Sequence, residues 1–346
     1  MDRHRKRGVL IILLCAILIN GALFWKEDYN HTHVDKDHIV LRIGHVVAED
    51  TPQHQCLLEF KKELESRSNG RFEVRIYPNG VLGGDRQMVE STILGFLHGA
   101  LPGSAVLAGF VPEYMVSDLP FIFKTRDAAF AAYDHELGDA LKELVRPLGI
   151  INLGFNQTGY RYITTNNRPI QSPEDLKGLS IRTMENPIHI ASFRAWGANP
   201  TPMSFSELFT ALQQGAIDAQ ENPILVTYSS RFYEVQNTLS LTGHVFSTGA
   251  FLMNEDFYNA LDEEDRALLD DCAKTYLMTS RARAEEKEQE FLKMAEEKGM
   301  KIVPLTSEQK DAFIEKAKGV YDLYTREYGS QELVDFAMKY NEGGTP

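Results

Sequence analysis

The chain has 346 residues, of which 43% are hydrophobic and 25% are charged, and its formal net charge is −13. This composition is typical of a globular protein and excludes a fibrous or wholly disordered chain, while the length indicates two domains. The acidic balance argues against nucleic acid as a partner. A site for an anion in so acidic a chain needs a local positive pocket, so single arginines carry weight.

The first 25 residues have the order of a secretory signal peptide. Basic residues at positions 3 and 5–7 precede an apolar run over 9–19, and small residues follow up to Ala22. We expect export and cleavage near Ala22. An uncleaved N-terminal anchor is the alternative, because residues 9–25 approach the length that spans a bilayer. A linker over 26–37 follows, and its histidines and aspartates match no zinc spacing, so no metal is assigned.

Strand and helix patterns alternate along the next part of the chain. Val40–Val47 has the pattern of a strand, Pro52–Ser68 that of a helix and Phe72–Pro78 that of a second strand. This order predicts an α/β fold with largely parallel strands, in which ligands collect beyond the strand ends. His45 and Glu49 lie just past the first strand and are therefore candidate ligand contacts.

Three later segments are predicted as continuous elements. Asp127–Leu148 has the apolar spacing of one helix, and Leu239–Ala250 has the composition of one strand, on which His244 is a candidate for the rim of the ligand site. The helix from about Glu263 to Lys298 becomes almost wholly polar, which is typical of a helix that bridges two domains. Cys56 and Cys272 are expected to be buried free thiols, and a disulfide between them is the alternative.

Two arginines lie on short predicted strands. Arg161 stands in the alternating run Tyr160–Thr165, and Arg182 stands near the end of Leu179–Thr183. A guanidinium on a rigid strand presents a planar fork that holds a carboxylate through two parallel hydrogen bonds. Each charge-assisted bond is worth about 1.5 to 3 kcal/mol. A surface charge or a structural ion pair is the ordinary alternative for any one arginine.

The segments around these arginines resemble one protein family. They read TTNNRPIQSPEDLKGLSIR and GANPTPMSFSELFTALQQGAIDAQENP, and LRIGHVVAEDTP, YPNGVLGGDRQMVE and FVPEYMVSDLPFIF extend the likeness toward the start of the chain. The chain after about residue 38 resembles the DctP-type solute-binding proteins of tripartite ATP-independent periplasmic (TRAP) transporters. The run IRTMENPIHIASFRAWGANP is most similar to the uronate and aldonate binders.

The resemblance implies a two-lobed α/β periplasmic binding protein with a ligand cleft between the lobes and a long helix across both. Lobe I would comprise residues 38–158 and 249–285, and lobe II residues 159–248 and 286–346. Arg182 would pair with the ligand carboxylate, with Arg161 and Asn222 supporting it.

Further candidate ligand contacts follow from position or from the resemblance. Glu185 and Asn186 come directly after the Arg182 strand, although Asn186 is equally suited to cap a helix. Phe205 stands where a ring covers the ligand in the family, with a core position as the alternative. Asp85 opens a helix near the expected cleft. Gly103 leaves space where some sialic-acid binders carry a charged residue, which argues against sialic acid.

These features predict an exported binding protein, not an enzyme, that closes over a sugar acid such as glucuronate or galacturonate. If Glu49 and Glu185 both face the cleft, they would repel a second carboxylate and accept hydrogen bonds from hydroxyl groups, which favours a hydroxylated monoacid. A C4-dicarboxylate or a 2-oxo acid is the alternative ligand. No cofactor is expected. The partners would be DctQ-type and DctM-type permease subunits, and the protein would be a monomer. An exported sugar-acid lyase or hydrolase using His45, Glu49 and Glu185 is a remote alternative, because no HExxH or GxSxG motif is present. A scaffold protein without a ligand is a third hypothesis.

Overall fold

A computed structural model describes residues 38–341. Ten strands form within this range: β1 Ile39–Gly44, β2 Phe72–Tyr77, β3 Gly99–Ala100, β4 Ile150–Thr165, β5 Ser180–Thr183, β6 Asn199–Pro202, β7 Ala219–Pro223, β8 Thr238–Leu241, β9 Phe246–Asn254 and β10 Lys301–Pro304. The same range contains eleven α-helices: α1 Pro52–Arg67, α2 Asp85–Ile93, α3 Arg126–Tyr133, α4 Glu136–Val145, α5 Pro187–Ala195, α6 Phe205–Gln213, α7 Ile224–Ser229, α8 Glu255–Ala260, α9 Glu263–Glu297, α10 Ser307–Glu327 and α11 Gln331–Met338.

The strands form two halves that share the two longest strands. Their order is β2-β1-β3-β9-β4-β7-β5-β6, and β8 pairs with β4 and β10. The start of β4 pairs with β9 in the first half, while its last residues pair with β7 and β8 in the second. The predicted parallel pairing holds for β1 with β2 and for β5 with β6 and β7. The shared strands β4 and β9 are antiparallel instead.

Three predicted boundaries differ from the structure. Residues 150–165 form one strand, whereas a separate short strand was expected over Tyr160–Thr165. The single strand expected over 239–250 is two, β8 and β9. The single helix expected over 127–148 is also two, because His135 is not helical and Gly138 lies against the Tyr133 carbonyl oxygen, so closely that a Cβ would sit 1.7 Å from it.

The long helix α9 packs against elements of both halves. It contacts α1, β4 and α7, and it buries Leu269 and Tyr276 toward its start and Phe291 toward its end. Its polar side is held by ion pairs, including two from Arg126 to Glu285 and Glu288. The spanning helix expected from the sequence is therefore present.

Two predictions lie outside the described residues, namely the signal peptide over 1–25 and the linker over 26–37. The lobe boundaries stay a prediction. No helix within residues 38–341 combines the length and apolarity that crossing a membrane requires.

Cys56 and Cys272 are both buried free thiols, and burial raises the pKa of each to about 11.

The register between β4 and β9 shifts at two bulges. One bulge lies between residues 152 and 155 of β4 and the other between residues 157 and 159. Gly154 occupies the first bulge with φ +150°, and a Cβ there would lie 2.5 Å from Leu277 Cδ1. A bulge re-aims a strand, and glycine supplies the backbone conformation that it needs.

Two glycine substitutions are expected to change stability in opposite directions. Gly154→Ala should lower the free energy of unfolding by about 1 to 3 kcal/mol, because its backbone is strained for alanine and its Cβ overlaps Leu277. Gly319→Ala, at an exposed position within α10 where a Cβ meets no atom within 4 Å, should raise it by about 0.5 to 1 kcal/mol. Chemical denaturation of both variants measures the difference, and equal effects would contradict this account of the bulge.

Candidate functional site

A cleft lies between the two halves and is lined by residues from both. The shared strands contribute Thr158, Arg161, Ser247 and Gly249 to its wall. Seven of the ten candidate residues line it: Asp85, Gly103, Arg161, Arg182, Glu185, Phe205 and Asn222.

Arg182 is anchored on one edge and open on the other. Its Nε and Nη2 both donate to the Met203 carbonyl oxygen, at 2.9 and 2.7 Å. Among the described residues, none accepts a hydrogen bond from its Nη1. The side chain is 3% exposed, and burial lowers its pKa to about 10, with Glu221 acting in the opposite direction. Arg182 therefore stays charged at neutral pH and presents Nη1 to the cleft.

Arg161 is held by an acid that the sequence analysis did not single out. Its Nε and Nη2 donate to the Glu221 carboxylate, and Nη2 also contacts the Glu221 carbonyl at 2.7 Å and Asn222 Oδ1 at 3.2 Å. Its Nη1 donates to Ser247 Oγ at 3.3 Å, beside the cleft. Most of the fork expected to support a ligand is therefore occupied within the protein, and the Nη1 edge is the part next to the cleft.

Glu221 is surrounded by cationic and polar partners. Besides Arg161, it contacts His244 Nε2 at 3.2 Å and His189 Nδ1 at 3.5 Å, and it is fully buried. Burial raises the pKa of this carboxyl, but Arg161 and the two histidines hold it well below its usual range. Burial lowers the pKa of His244, against the effect of Glu221. His244 was expected at the cleft rim and lies in this buried cluster instead.

A signal for Glu221 was present in the sequence. Gln220, Glu221 and Asn222 are consecutive polar residues on β7, and strand alternation would send one of them to solvent. All five residues of β7 are buried, because the strand lies between β4 and β5 inside the sheet. Buried polar residues need partners, so a consecutive polar run in an internal strand indicates a hydrogen-bonded cluster.

Asp85 is an acidic group of the cleft wall that acts on Arg182. It is the first residue of α2, and its Oδ1 is buried without a hydrogen-bond partner among the described residues. Burial raises the pKa of this carboxyl to about 7, opposed by Arg182 and by the backbone N–H of Gly103. Near neutral pH, the group is therefore divided between its charged and neutral forms.

Comparison with known proteins places the chain in a family. Residues 43–327 match the DctP model, described as bacterial extracellular solute-binding protein, family 7. The chain belongs to this family.

Two curated relatives are similar over most of their length. A solute-binding protein of Verminephrobacter eiseniae is 36% identical over 85% of this chain and 87% of its own. The 2,3-diketo-L-gulonate-binding periplasmic protein YiaO of Escherichia coli is 33% identical over 76% of this chain and 80% of its own.

Two solved structures share the fold. The sugar acid binding protein of Advenella mimigardefordensis in complex with galactonate has a TM-score of 0.85 and 29% identity, covering 88% of this chain and 99% of that one. A TRAP periplasmic solute-binding protein of Sulfurospirillum deleyianum with bound succinate has a TM-score of 0.83 and 31% identity, with the same coverages. The fold is therefore that of a two-lobed periplasmic binding protein, and the family is that of TRAP solute-binding proteins for small acids.

Three candidate residues of this DctP-family protein do not line the cleft. His45 is fully buried, and its Nε2 lies 2.9 Å from His54 Nδ1 on α1. Glu49 is exposed and accepts a hydrogen bond from Asn79. Asn186 is buried, where its Oδ1 caps α5 and its Nδ2 donates to Ala105 O and Asp118. Each of these side chains is thus directed to a partner away from the cleft.

The aromatic and small candidates occupy opposite walls. Phe205 begins α6, is half-buried and packs edge-on against Phe232, so it combines a cleft position with core packing. A Cβ on Gly103 would lie 3.4 Å from Met184 Cε across the cleft. Within residues 38–341, no group of three or more histidine, cysteine or acidic side chains is arranged to hold a metal ion.

Asp85→Asn is expected to stabilise the protein without ligand above neutral pH. The folded pKa near 7 exceeds the ordinary value of 3.8, so the folded state holds an extra proton between these values and the wild type loses stability as pH rises through that window. The variant does not lose stability in this way. Its free energy of unfolding should therefore exceed that of the wild type by up to about 4 kcal/mol at pH 8 but by almost nothing at pH 3.5.

Thermal unfolding at the two pH values measures this gain. Asp127→Asn is the matched control, because Asp127 is an exposed aspartate in the first turn of the short helix α3. An equal change at both pH values would contradict the ionisation of Asp85 as the cause.

Proposed function

We propose that the protein captures a small sugar acid, a uronate or an aldonate, in the periplasm and delivers it as a monomer to DctQ-type and DctM-type permease subunits. The observation that carries this proposal is Arg182, a buried arginine with one edge fixed by a backbone carbonyl and Nη1 directed to the cleft. A guanidinium held in this way is ready for a carboxylate and loses little entropy when it binds one.

The charges around the cleft favour a ligand with one carboxylate. Arg161 pairs with Glu221 and Arg86 pairs with Glu90, which leaves Arg182 as the cleft arginine without an ion pair among the described residues. Arg182 can therefore pair with one ligand carboxylate. A second carboxylate would add negative charge beside Asp85 and Glu185 without a free cation to offset it.

Unpartnered polar atoms favour a ligand with hydroxyl groups. Asp85 Oδ1 and Thr158 Oγ1 are both buried in the cleft wall without a partner among the described residues. Buried polar groups in proteins are almost always hydrogen-bonded, so these atoms need a partner that the ligand can supply. A polyhydroxy acid brings donors for Asp85, and Thr158 can donate or accept.

A C4-dicarboxylate or a 2-oxo acid is the second candidate. Arg86 lies in the cleft with 44% of its side chain exposed and pairs with Glu90 at 3.2 Å on its own helix. Such an exposed pair is weak, so Arg86 is able to turn toward a second carboxylate. The Sulfurospirillum relative is bound to succinate, while the Advenella relative holds galactonate.

A thermal-shift screen distinguishes these ligand classes. We expect galactonate, gluconate or glucuronate to stabilise the protein and succinate to do so weakly. The dissociation constant of the best sugar acid should be near micromolar, which corresponds to a binding free energy of about −8 kcal/mol. Calorimetry of the responding acids gives the affinities. Stabilisation by succinate but by no sugar acid would reverse the order of the candidates.

The same samples test the absence of catalysis. Because we propose a binding protein, the NMR spectrum of each acid should stay unchanged during prolonged incubation with the protein. Appearance of a product would support the exported lyase or hydrolase instead, and no thermal shift with any acid would support the scaffold hypothesis.

Substitution of Arg182 separates charge from geometry. Arg182→Ala should lower the affinity for the best acid by about 10- to 150-fold, since it removes a charge-assisted contact worth about 1.5 to 3 kcal/mol and leaves the cleft less positive. Arg182→Lys keeps the charge but lacks the fork, so its affinity should stay well below that of the wild type.

Arg194→Ala serves as the control, because Arg194 is exposed at the end of α5 and does not line the cleft. Near-native affinity in both Arg182 variants would remove this residue from the site.

A further inference from the structure

His189 lies between two buried carboxylates, Asp118 of the first half and Glu221 of the second. Its Nδ1 is 3.5 Å from Glu221 Oε1 on β7, and its Nε2 is 3.1 Å from Asp118 Oδ1. The ring is in the first turn of α5, and its side chain is 1% exposed. Solvent therefore does not compete for either ring nitrogen.

The two contacts define the charge of the ring. A neutral imidazole has one N–H and one lone pair, so one nitrogen would direct a lone pair at a carboxylate. Only the imidazolium donates to Asp118 and Glu221 together. These two carboxylates raise the pKa of His189 to about 9, although burial acts in the opposite direction.

The groups packed around His189 confirm the charge balance. The ionisable neighbours are Asp118, Glu221, Arg161, His244 and Tyr133. Burial lowers the pKa of His244 and raises that of Tyr133 to about 12, so both are neutral near pH 7. Two carboxylates then balance Arg161 and His189, and Arg182 in the cleft wall also acts on Glu221. Loss of the His189 proton would leave Asp118 buried without the cation that contacts it.

The cluster also joins the arginine wall to the opposite half. Glu221 holds Arg161 on β4, next to Asn222 in the cleft wall. Asp118 ends the segment 112–118 of the first half, where its other oxygen accepts from Asn186 at 2.8 Å. Asn186 Nδ2 also donates to Ala105 O at 3.1 Å. His189 thus connects the carboxylate behind Arg161 with residues beside the Gly103 wall.

We propose that His189, as an imidazolium, is a positioning residue for anion capture that fixes Glu221, and through it Arg161, against the first half of the chain. Deprotonated His189 would leave Glu221 with one partner fewer and Asp118 without its cation. Arg161 would then be drawn further to Glu221 and away from the ligand. His189 does not line the cleft and acts only through its neighbours.

NMR titration of the wild type tests the imidazolium without any substitution. Among the 10 histidines of the chain, the ¹⁵N signals of His189 are identified by their absence in His189→Gln. They should show a transition near pH 9 and remain doubly protonated at pH 7. A transition below pH 7, or neutral nitrogens at pH 7, would overturn the proposal.

Binding of D-galactonate tests the positioning role, and this part depends on the proposed sugar-acid function. Affinity in the wild type should fall as pH rises through about 9, and His189→Gln should bind roughly tenfold more weakly at pH 7, equal to about 1.4 kcal/mol, without that transition. Arg182, with its pKa near 10, titrates in both proteins, so the difference between their profiles isolates His189. His135→Gln, an exposed histidine, is the control and should match the wild type.

The outcomes separate this proposal from the proposed function. If galactonate binds and both pH profiles are identical, His189 has only a structural role and the proposal fails. If the wild type does not bind galactonate, the sugar-acid function fails in its aldonate form, and the NMR titration alone decides whether the imidazolium exists. If the His189→Gln variant cannot fold, Asp118→Asn is used in its place. The proposal then requires that the His189 transition in Asp118→Asn lies at lower pH than in the wild type.

Discussion

The buried pair of Arg161 and Glu221 is the interaction on which the cleft depends. A buried ion pair is not stabilising in itself, because desolvation of both charges opposes their attraction. Here two histidines, Asn222 and a backbone carbonyl complete the hydrogen bonding, so the cluster is satisfied on every side. The pair joins β4, which both halves share, to β7 in the second half. It therefore fixes the arginine wall relative to the strand about which the two halves are built.

Arg182 differs from Arg161 in how it is held. Arg161 is balanced by a full negative charge, whereas Arg182 is anchored by the neutral carbonyl of Met203 and by distant carboxylates. An arginine whose charge is not neutralised at contact distance attracts an anion more strongly. The structure thus distinguishes a guanidinium that is fixed by an ion pair from one that is available to an anion, although both lie on rigid strands and have similar local sequence patterns.

Strand periodicity was sufficient to place Arg161 and Arg182 on strands, because their runs alternate and carry few turn residues. It failed where specific packing contacts decide. The break before Glu136 depends on Gly138 packing against Tyr133, and the inward turn of His45 depends on its pairing with His54. Glu221 was missed because alternation assumes one solvated face, and β7 has none. The family resemblance supplied the cleft residues that local patterns do not reveal.

Glycines lie where the two halves approach each other at the cleft. A Cβ on Gly84 would lie 2.8 Å from Ser204 Oγ, and one on Gly103 would lie 3.4 Å from Met184 Cε. A side chain at either position would push the walls apart and weaken the enclosure of Arg182. Asp85 follows Gly84 directly, so close approach of the halves also brings its carboxyl group toward Arg182. In the proposed function, contact of Arg182 with the ligand carboxylate would therefore depend on the same backbone approach that positions Asp85.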